Sequence, residues 1–359
     1  MASDESASDD PVRRLSICVL TLDEEVNVRG LKASFDAIAD EVEAEQLSLE
    51  LVIVDAGSAD ATVSVARELG FDHVLELPGS TIPEARNAAA ALTDSPWIGY
   101  IDADCRVTSG WITAAVKALE VDDYIVAGWP TIGPETPTWV QRAWQAHWDS
   151  KLDGLVVDDE GFVDSVEMHR LVTTRNLVCS RAAFDRLGGF DERLPTGEDS
   201  EFAFRASVGD VALIGVPAMR VEHLGEPADL PEFYQQQLWH ANSDAYGPRG
   251  ADDGGVRNGR NAELFTYGFL SSAALGLAGA AVGASRRSPI TAVASALPAA
   301  VVSGLPALRT AWQRRDASLV APLSVLYAAY GAARSVDVLG GANRVQSWRT
   351  RRSASPSAG

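Results

Sequence analysis

The sequence predicts an α/β fold, a doubly wound and mainly parallel sheet, followed by a C-terminal hydrophobic helical region. Three observations carry this. Short apolar runs at 15–21, 49–54, 73–77 and 97–101 are spaced so that one helix fits between each pair. The first intervening segment has apolar residues at helical spacing, Val28, Leu31, Phe35 and Ile38. Finally, the charge balance changes sign near residue 262. The preceding part holds 47 acidic and 20 basic residues, whereas from Ala262 onward there are 3 acidic residues and 10 arginines, within a net charge of −20 over 359 residues.

Taken in order, 1–14 reads as an acidic disordered tail with neither a basic nor an apolar signal region. Leu15–Thr21 is a first strand, buried on both faces because it carries almost no polar residue. Leu22-Asp23-Glu24-Glu25 forms a turn, and a helix follows over 26–40. The second strand, 49–54, ends in Asp55-Ala56-Gly57-Ser58, where Gly57 allows a tight turn and Asp60 caps a helix running to Leu69. A short strand at 73–77 and a helix over 82–92 lead into Trp97–Ile101. After a helix over 109–119 and a strand near 124–128, Trp139, Trp144 and Trp148 mix with prolines. The i, i+4 spacing of Trp144 and Trp148 points to helix packing. Strand character returns over 171–179, then a helix at 181–187 is stopped by Gly188-Gly189. A helix with acids in its first turn starts at Glu198, and strands at 211–216 and 219–223 end in His223. The acidic part therefore makes one domain over 15–243, closed by a glycine-rich linker over 244–262.

Strand tips at Thr21–Glu24, Asp55–Ser58 and Asp102 with Asp104 line one crevice, because ligands collect at the carboxyl ends of open α/β sheets. Asp102 and Asp104, one residue apart, suit a hard divalent cation and the phosphates it brings. The same pair also fits a polar strand end closed by an Asx turn. Asp199 either serves the helix dipole or projects into the crevice to accept a proton, and His223 is either structural or a ligand. No Gly-x-Gly-x-x-Gly follows the first strand and no Walker lysine is present, which disfavours dinucleotide-binding and P-loop sites. The acidic surface argues against nucleic acid as a partner. With only Lys32, Lys117 and Lys151 as lysines, it points to concentrated salt and a halophilic source. Cys18, Cys105 and Cys179 are widely spaced in apolar runs and read as buried free thiols.

Together these motifs resemble the inverting family 2 glycosyltransferases of the GT-A fold, over 15–237. Thr21-Leu22-Asp23-Glu24-Glu25 is similar to the family's Thr-Tyr-Asn-Glu-Glu, and Asp55-Ala56-Gly57-Ser58-Ala59-Asp60-Ala61-Thr62 to its Asp-x-Gly-Ser-x-Asp-x-Thr. Ala85-Arg86-Asn87 is similar to its Ala-Arg-Asn helix start and Asp102-Ala103-Asp104 to its Asp-x-Asp. Gly188-Gly189-Phe190-Asp191 followed by Glu198-Asp199-Ser200-Glu201 looks like its Gly-Gly-Phe-Asp and Glu-Asp-x-Asp/Glu pair. The resemblance implies that Asp55, with Thr21 and Glu24, holds the nucleoside of a nucleotide-sugar donor, with Arg86 and Asp102 near the base or ribose. It implies a divalent cation, Mn²⁺ or Mg²⁺, at Asp104 and His223, and Asp199 as the catalytic base. Two departures stand out: Asp23 replaces the usual Asn, and Gln235-Gln236-Gln237-Leu238-Trp239 lacks the arginine of the Gln-x-x-Arg-Trp of processive synthases. One sugar per encounter is therefore expected.

The region 263–338 holds uncharged runs at 264–284, 289–308 and 318–333, with arginines in the gaps, and 339–359 is a basic tail. A 21-residue helix spans ~32 Å, enough for a bilayer, and arginines suit headgroups. Three spans would put the arginine-rich tail outside, against the positive-inside tendency, whereas two spans plus an interfacial segment would not. With the catalytic domain on the cytoplasmic face of the cell membrane, the expected acceptor is a lipid-linked glycan on a polyprenyl or dolichyl phosphate, for surface glycan or protein glycosylation. A sugar nucleotidyltransferase is the first rival, and would need a basic, glycine-rich signature that 21–25 lacks. A catalytically dead membrane scaffold is the second, separable by Asp199→Asn.

Overall fold

The computed structural model describes residues 13–164, 168–169, 171–194, 197–244 and 260–340. The acidic tail up to residue 12, most of the linker and the basic tail from 341, with Arg344, Arg349, Arg351 and Arg352, lie outside these residues.

Eleven strands are described: β1 (Arg13–Thr21), β2 (Leu47–Asp55), β3 (His73–Glu76), β4 (Trp97–Ile101), β5 (Cys105–Val107), β6 (Ile125–Gly128), β7 (Thr131–Ile132), β8 (Val163–Asp164), β9 (Asn176–Ser180), β10 (Ala212–Gly215) and β11 (Val221–His223). The helices before the linker are α1 (Glu25–Asp36), α2 (Ala39–Ala44), α3 (Thr62–Glu68), α4 (Ile82–Ala91), α5 (Trp111–Leu119), α6 (Trp139–Leu152), α7 (Arg181–Leu187), α8 (Glu198–Val208) and α9 (Leu230–Asp244). After it come α10 (Arg260–Ser285), α11 (Pro289–Ala294), α12 (Leu297–Gln313) and α13 (Val320–Gly340).

Eight strands form one sheet in the order β3-β2-β1-β4-β9-β6-β10-β8, and β5, β11 and β7 form a second, small sheet. β1 pairs in parallel with β2 and β4, and β6 with β10. β9 runs antiparallel to both its neighbours, β4 and β6. The apolar runs are continuous because both faces of the sheet are covered. On one face Leu15, Ile17, Val19 and Ile53 pack with Phe35 and Trp111. On the other, Cys18, Val52, Val54, Ile98 and Tyr100 pack with Phe184, Phe190 and Phe202. The three cysteines are buried free thiols, as expected.

Three local expectations differ. Strand structure after 171 begins only at Asn176, since Thr173 O accepts the Asn176 N–H in a turn. Strand 219–223 belongs to the small sheet, where His223 pairs with Cys105. Asp60 stands one residue before the cap position of α3, its Oδ1 accepting from Thr62 N at 2.9 Å and its Oδ2 from Glu25 N at 3.2 Å, so it joins two helix starts.

Beyond the sheet, α6 is a capped helix whose Trp144 packs edge-on to Phe233 of α9 at 4.8 Å and beside Tyr327 and Tyr330 of α13. Trp144 and Trp148 thus do serve helix packing. Arg314 fixes the end of α12 to α6, with Nη1 2.8 Å from Asp153 and Nη2 3.4 Å from Asp149. Two helical stretches, Leu264–Ser285 and Ala317–Val336, are long and apolar enough to cross a membrane. The middle apolar run is instead split into α11 and α12, and α12 has Pro306 in its interior.

Candidate active site

Parallel strands β1, β2 and β4 end together, and their tips carry Thr21, Asp55 and Asp102. Thr21 donates its hydroxyl to Asp55 Oδ2 at 2.9 Å. The other oxygen, Oδ1, accepts the Gly57 and Ser58 N–H groups at 2.9 and 2.7 Å, and the Ser58 hydroxyl completes the set. Gly57, at φ 105°, makes this turn in a conformation that favours glycine. Asp55 therefore shapes the loop as well as standing at its floor. Asp23, in the left-handed region at φ 56°, accepts the Ala59 N–H at 2.7 Å and donates its own N–H to Ser58 Oγ at 2.8 Å. An Asn in this place has the same carbonyl acceptor and the same tolerance of this backbone, so the departure at Asp23 leaves the turn intact. Glu24 is buried at the start of α1, where its Oε2 accepts from Asn27 at 2.8 Å.

Arg86 is buried on α4 and reaches two acids. Its Nη2 is 3.2 Å from Asp102 Oδ1, and its Nη1 bonds Glu198 Oε1. Glu198 opens α8, next to Asp199, so this arginine draws the helix start against the tip of β4. Asp199 is half-buried there, and its Oδ1 accepts the Ser200 N–H at 2.6 Å. Burial pushes the Glu198 carboxyl up to a pKa of about 7, with Asp199 acting the same way against the pull of Arg86.

Past Asp102 the chain turns, with Cys105 N donating to Asp102 O, and enters β5. The pairing of Cys105 with His223 in β11 sets Asp104 Oδ2 3.5 Å from His223 Nε2. Ligand atoms of Asp104, Cys105 and His223 lie within 4.8 Å of one another, all three residues buried. His223 Nδ1 is 2.9 Å from Glu226 Oε1, the outer carboxylate that orients a metal-binding imidazole. Gly225 leaves room for the carboxylate, since a Cβ there would lie 2.0 Å from Asp104 Oδ2. A carboxylate oxygen and an oriented imidazole nitrogen side by side fit a divalent cation. Burial and Arg175 lower the affinity of His223 for a proton, but Asp104 and Glu226 on either side raise its pKa to about 9.

Residues 16–168 match the family model described as Glycosyl transferase family 2. This stretch, a little under half of the chain, is similar to the family 2 glycosyl transferases, and the fold agrees. A mannosyltransferase from Pyrobaculum calidifontis, PcManGT, solved with GDP-Man and Mn²⁺, superposes with a TM-score of 0.55 at 19% identity, covering 91% of this chain and 87% of that one. Residues 1–349 of S. aureus TarS give a TM-score of 0.46 at 17% identity over 92% and 93% of the two chains, too loose a likeness to argue from. No curated protein matches the chain by sequence.

The structure thus brings Thr21, Asp55, Arg86, Asp102, Asp104, Asp199 and His223 to one edge of the sheet, with Glu24 beneath the first turn. The sequence reading missed Arg175 and Glu226, which bond each other at 2.9 Å beside His223. The signal for Glu226 was its position three residues after the histidine. Arg175 had none, because its place depends on β9 running antiparallel.

Proposed function

We propose that this chain is a glycosyltransferase that moves one hexose, with inversion, from a nucleotide sugar to a lipid-linked acceptor at a membrane. The observation that supports it most is the double contact of Arg86 with Asp102 and Glu198, which places the Asp199 helix start beside the Asp-x-Asp tip. In this reading the acceptor oxygen bonds to the anomeric carbon while the bond from that carbon to the diphosphate breaks on the opposite face. The acceptor's proton passes to Asp199. Asp55 and Thr21 hold the nucleoside end, with Glu24 fixing the turn and Arg86 and Asp102 beside the ribose. A cation held by Asp104 and His223, Mn²⁺ or Mg²⁺, supplies charge to stabilise the departing diphosphate. The Mn²⁺ and GDP-Man of PcManGT are consistent with this chemistry.

Two apolar helices support the membrane and the lipid acceptor, as does an apolar hollow of about 340 Å³ between α9 and α13, lined by Leu230, Tyr234 and Ala329. The catalytic domain is placed on the cytoplasmic side, where nucleotide sugars are made, and the lysine-poor acidic surface fits a haloarchaeal source. The test is transfer by purified full chain, in high salt with Mn²⁺ or Mg²⁺, from a panel of UDP- and GDP-sugars to a polyprenyl phosphate or a glycan on one. Transfer from one donor class that Asp199→Asn abolishes is expected. Nucleotide binding without transfer to any lipid-linked acceptor would overturn the acceptor assignment.

A further inference from the structure

Arg175 reaches the site from the strand that runs against its neighbours. Ile101 of β4 pairs with Asn176 of β9, so Arg175, just before β9, sits where β4 has just released Asp102. Its side chain is 25% exposed, and its guanidinium shares the field of Glu226, Asp102 and Asp104. Nη1 donates to Glu226 Oε1 at 2.9 Å, the same oxygen that faces His223 Nδ1 at 2.9 Å. A guanidinium carries five N–H donors in a rigid fork, and one carboxylate oxygen engages a small part of it.

We infer that Arg175 takes the diphosphate of the donor, and of the nucleotide left after transfer, beside the cation; this rests on the nucleotide-sugar reading above. Arg86 is engaged by Asp102 and Glu198. Arg175 gives one N–H to Glu226, and the donors of its fork that Glu226 does not use stand beside the Asp104 and His223 pair, where a diphosphate would match them in sign and geometry. Glu226 aims the fork and the imidazole together, so anion and cation are received at adjoining positions. The Gln-x-x-Arg-Trp arginine absent at Leu238 is no obstacle, because a guanidinium arrives from β9.

The experiment is titration of the full chain with UDP, GDP and their nucleosides, followed by tryptophan fluorescence, for wild type, Arg175→Ala and Arg175→Lys, each with Mn²⁺ and with EDTA. Arg175→Ala is expected to weaken diphosphate binding by about tenfold to a hundredfold in both conditions, and to leave nucleoside binding within about twofold. Arg175→Lys is expected to recover part of the loss, as a charge without the fork does. Undiminished diphosphate binding by Arg175→Ala overturns the inference alone. Equal loss of diphosphate and nucleoside also overturns it, since that marks a residue that only holds the fold. Wild-type protein that binds no nucleotide overturns the nucleotide-sugar reading, and this inference with it.

Discussion

Arg86 Nη2 lies 3.2 Å from Asp102 Oδ1, a contact between the middle of α4 and the end of β4. The same guanidinium holds Glu198 at the start of α8, so a single buried cation fastens two acids from distant parts of the chain. Removing one partner of a buried ion pair leaves an uncompensated charge, at a cost of about 3–5 kcal/mol. Arg86→Ala should destabilise the domain by that order in urea unfolding. Glu198→Gln in the same chain should return part of it, so that the two changes are not additive.

Glu198 also sets a pH dependence. Its pKa of about 7 stands above the ordinary glutamate value, which the unfolded chain keeps. From about pH 4.5 to about 7 the folded chain therefore holds a proton that the unfolded chain has released. The stability this gives is present in full below that window and is lost as pH rises through it. Unfolding free energy measured from pH 5 to 8 should fall more steeply in wild type than in Glu198→Gln, by up to one proton's worth of slope. Equal slopes would show that Arg86 keeps Glu198 ionised throughout.

Asp199 is half-buried and is the carboxylate of this pair that Arg86 does not bond directly. Asp199→Asn keeps the shape and removes the proton acceptor. Turnover should fall about 10²- to 10⁴-fold, with nucleotide affinity within about twofold of wild type. A comparable loss in both would move Asp199 from proton acceptor to binding residue.

The parts of this site that could be read from the sequence are those fixed by parallel strands. Thr21, Asp55 and Asp102 each follow an apolar run, and consecutive parallel strands put such residues at one edge whatever lies between them. His223 and Asp104 needed more, because they meet through a small second sheet whose three-residue strands β5 and β11 carry too little periodicity to announce a pairing. Arg175 was hidden for a different reason. An apolar run says that a strand is buried but not which way it points, and only in the antiparallel direction does the residue before β9 join the acids. The C-terminal run 289–308 stayed open in the sequence, since its lack of charge suits a span while Pro298 and Pro306 interrupt it, and the structure breaks it between α11 and α12.

Gly225 offers a test of the cation site that leaves every donor atom in place. A Cβ on residue 225 would stand 2.0 Å from Asp104 Oδ2 and 3.3 Å from His223 Nε2. Asp104 is buried, so its carboxylate has to turn away or the 224–226 segment has to shift, and either change separates the two donors. Gly225→Ala should cost about 1–3 kcal/mol of stability, as overpacking does. It should also raise the Mn²⁺ concentration for half-maximal transfer by tenfold or more. Gly154→Ala, where a Cβ meets nothing within 4 Å, serves as the control and should change neither. If Gly225→Ala takes up Mn²⁺ as wild type does, in a titration of transfer and of nucleotide binding, then Asp104 and His223 are not the donors. The chelation chemistry would have to be sought elsewhere along the edge of the sheet.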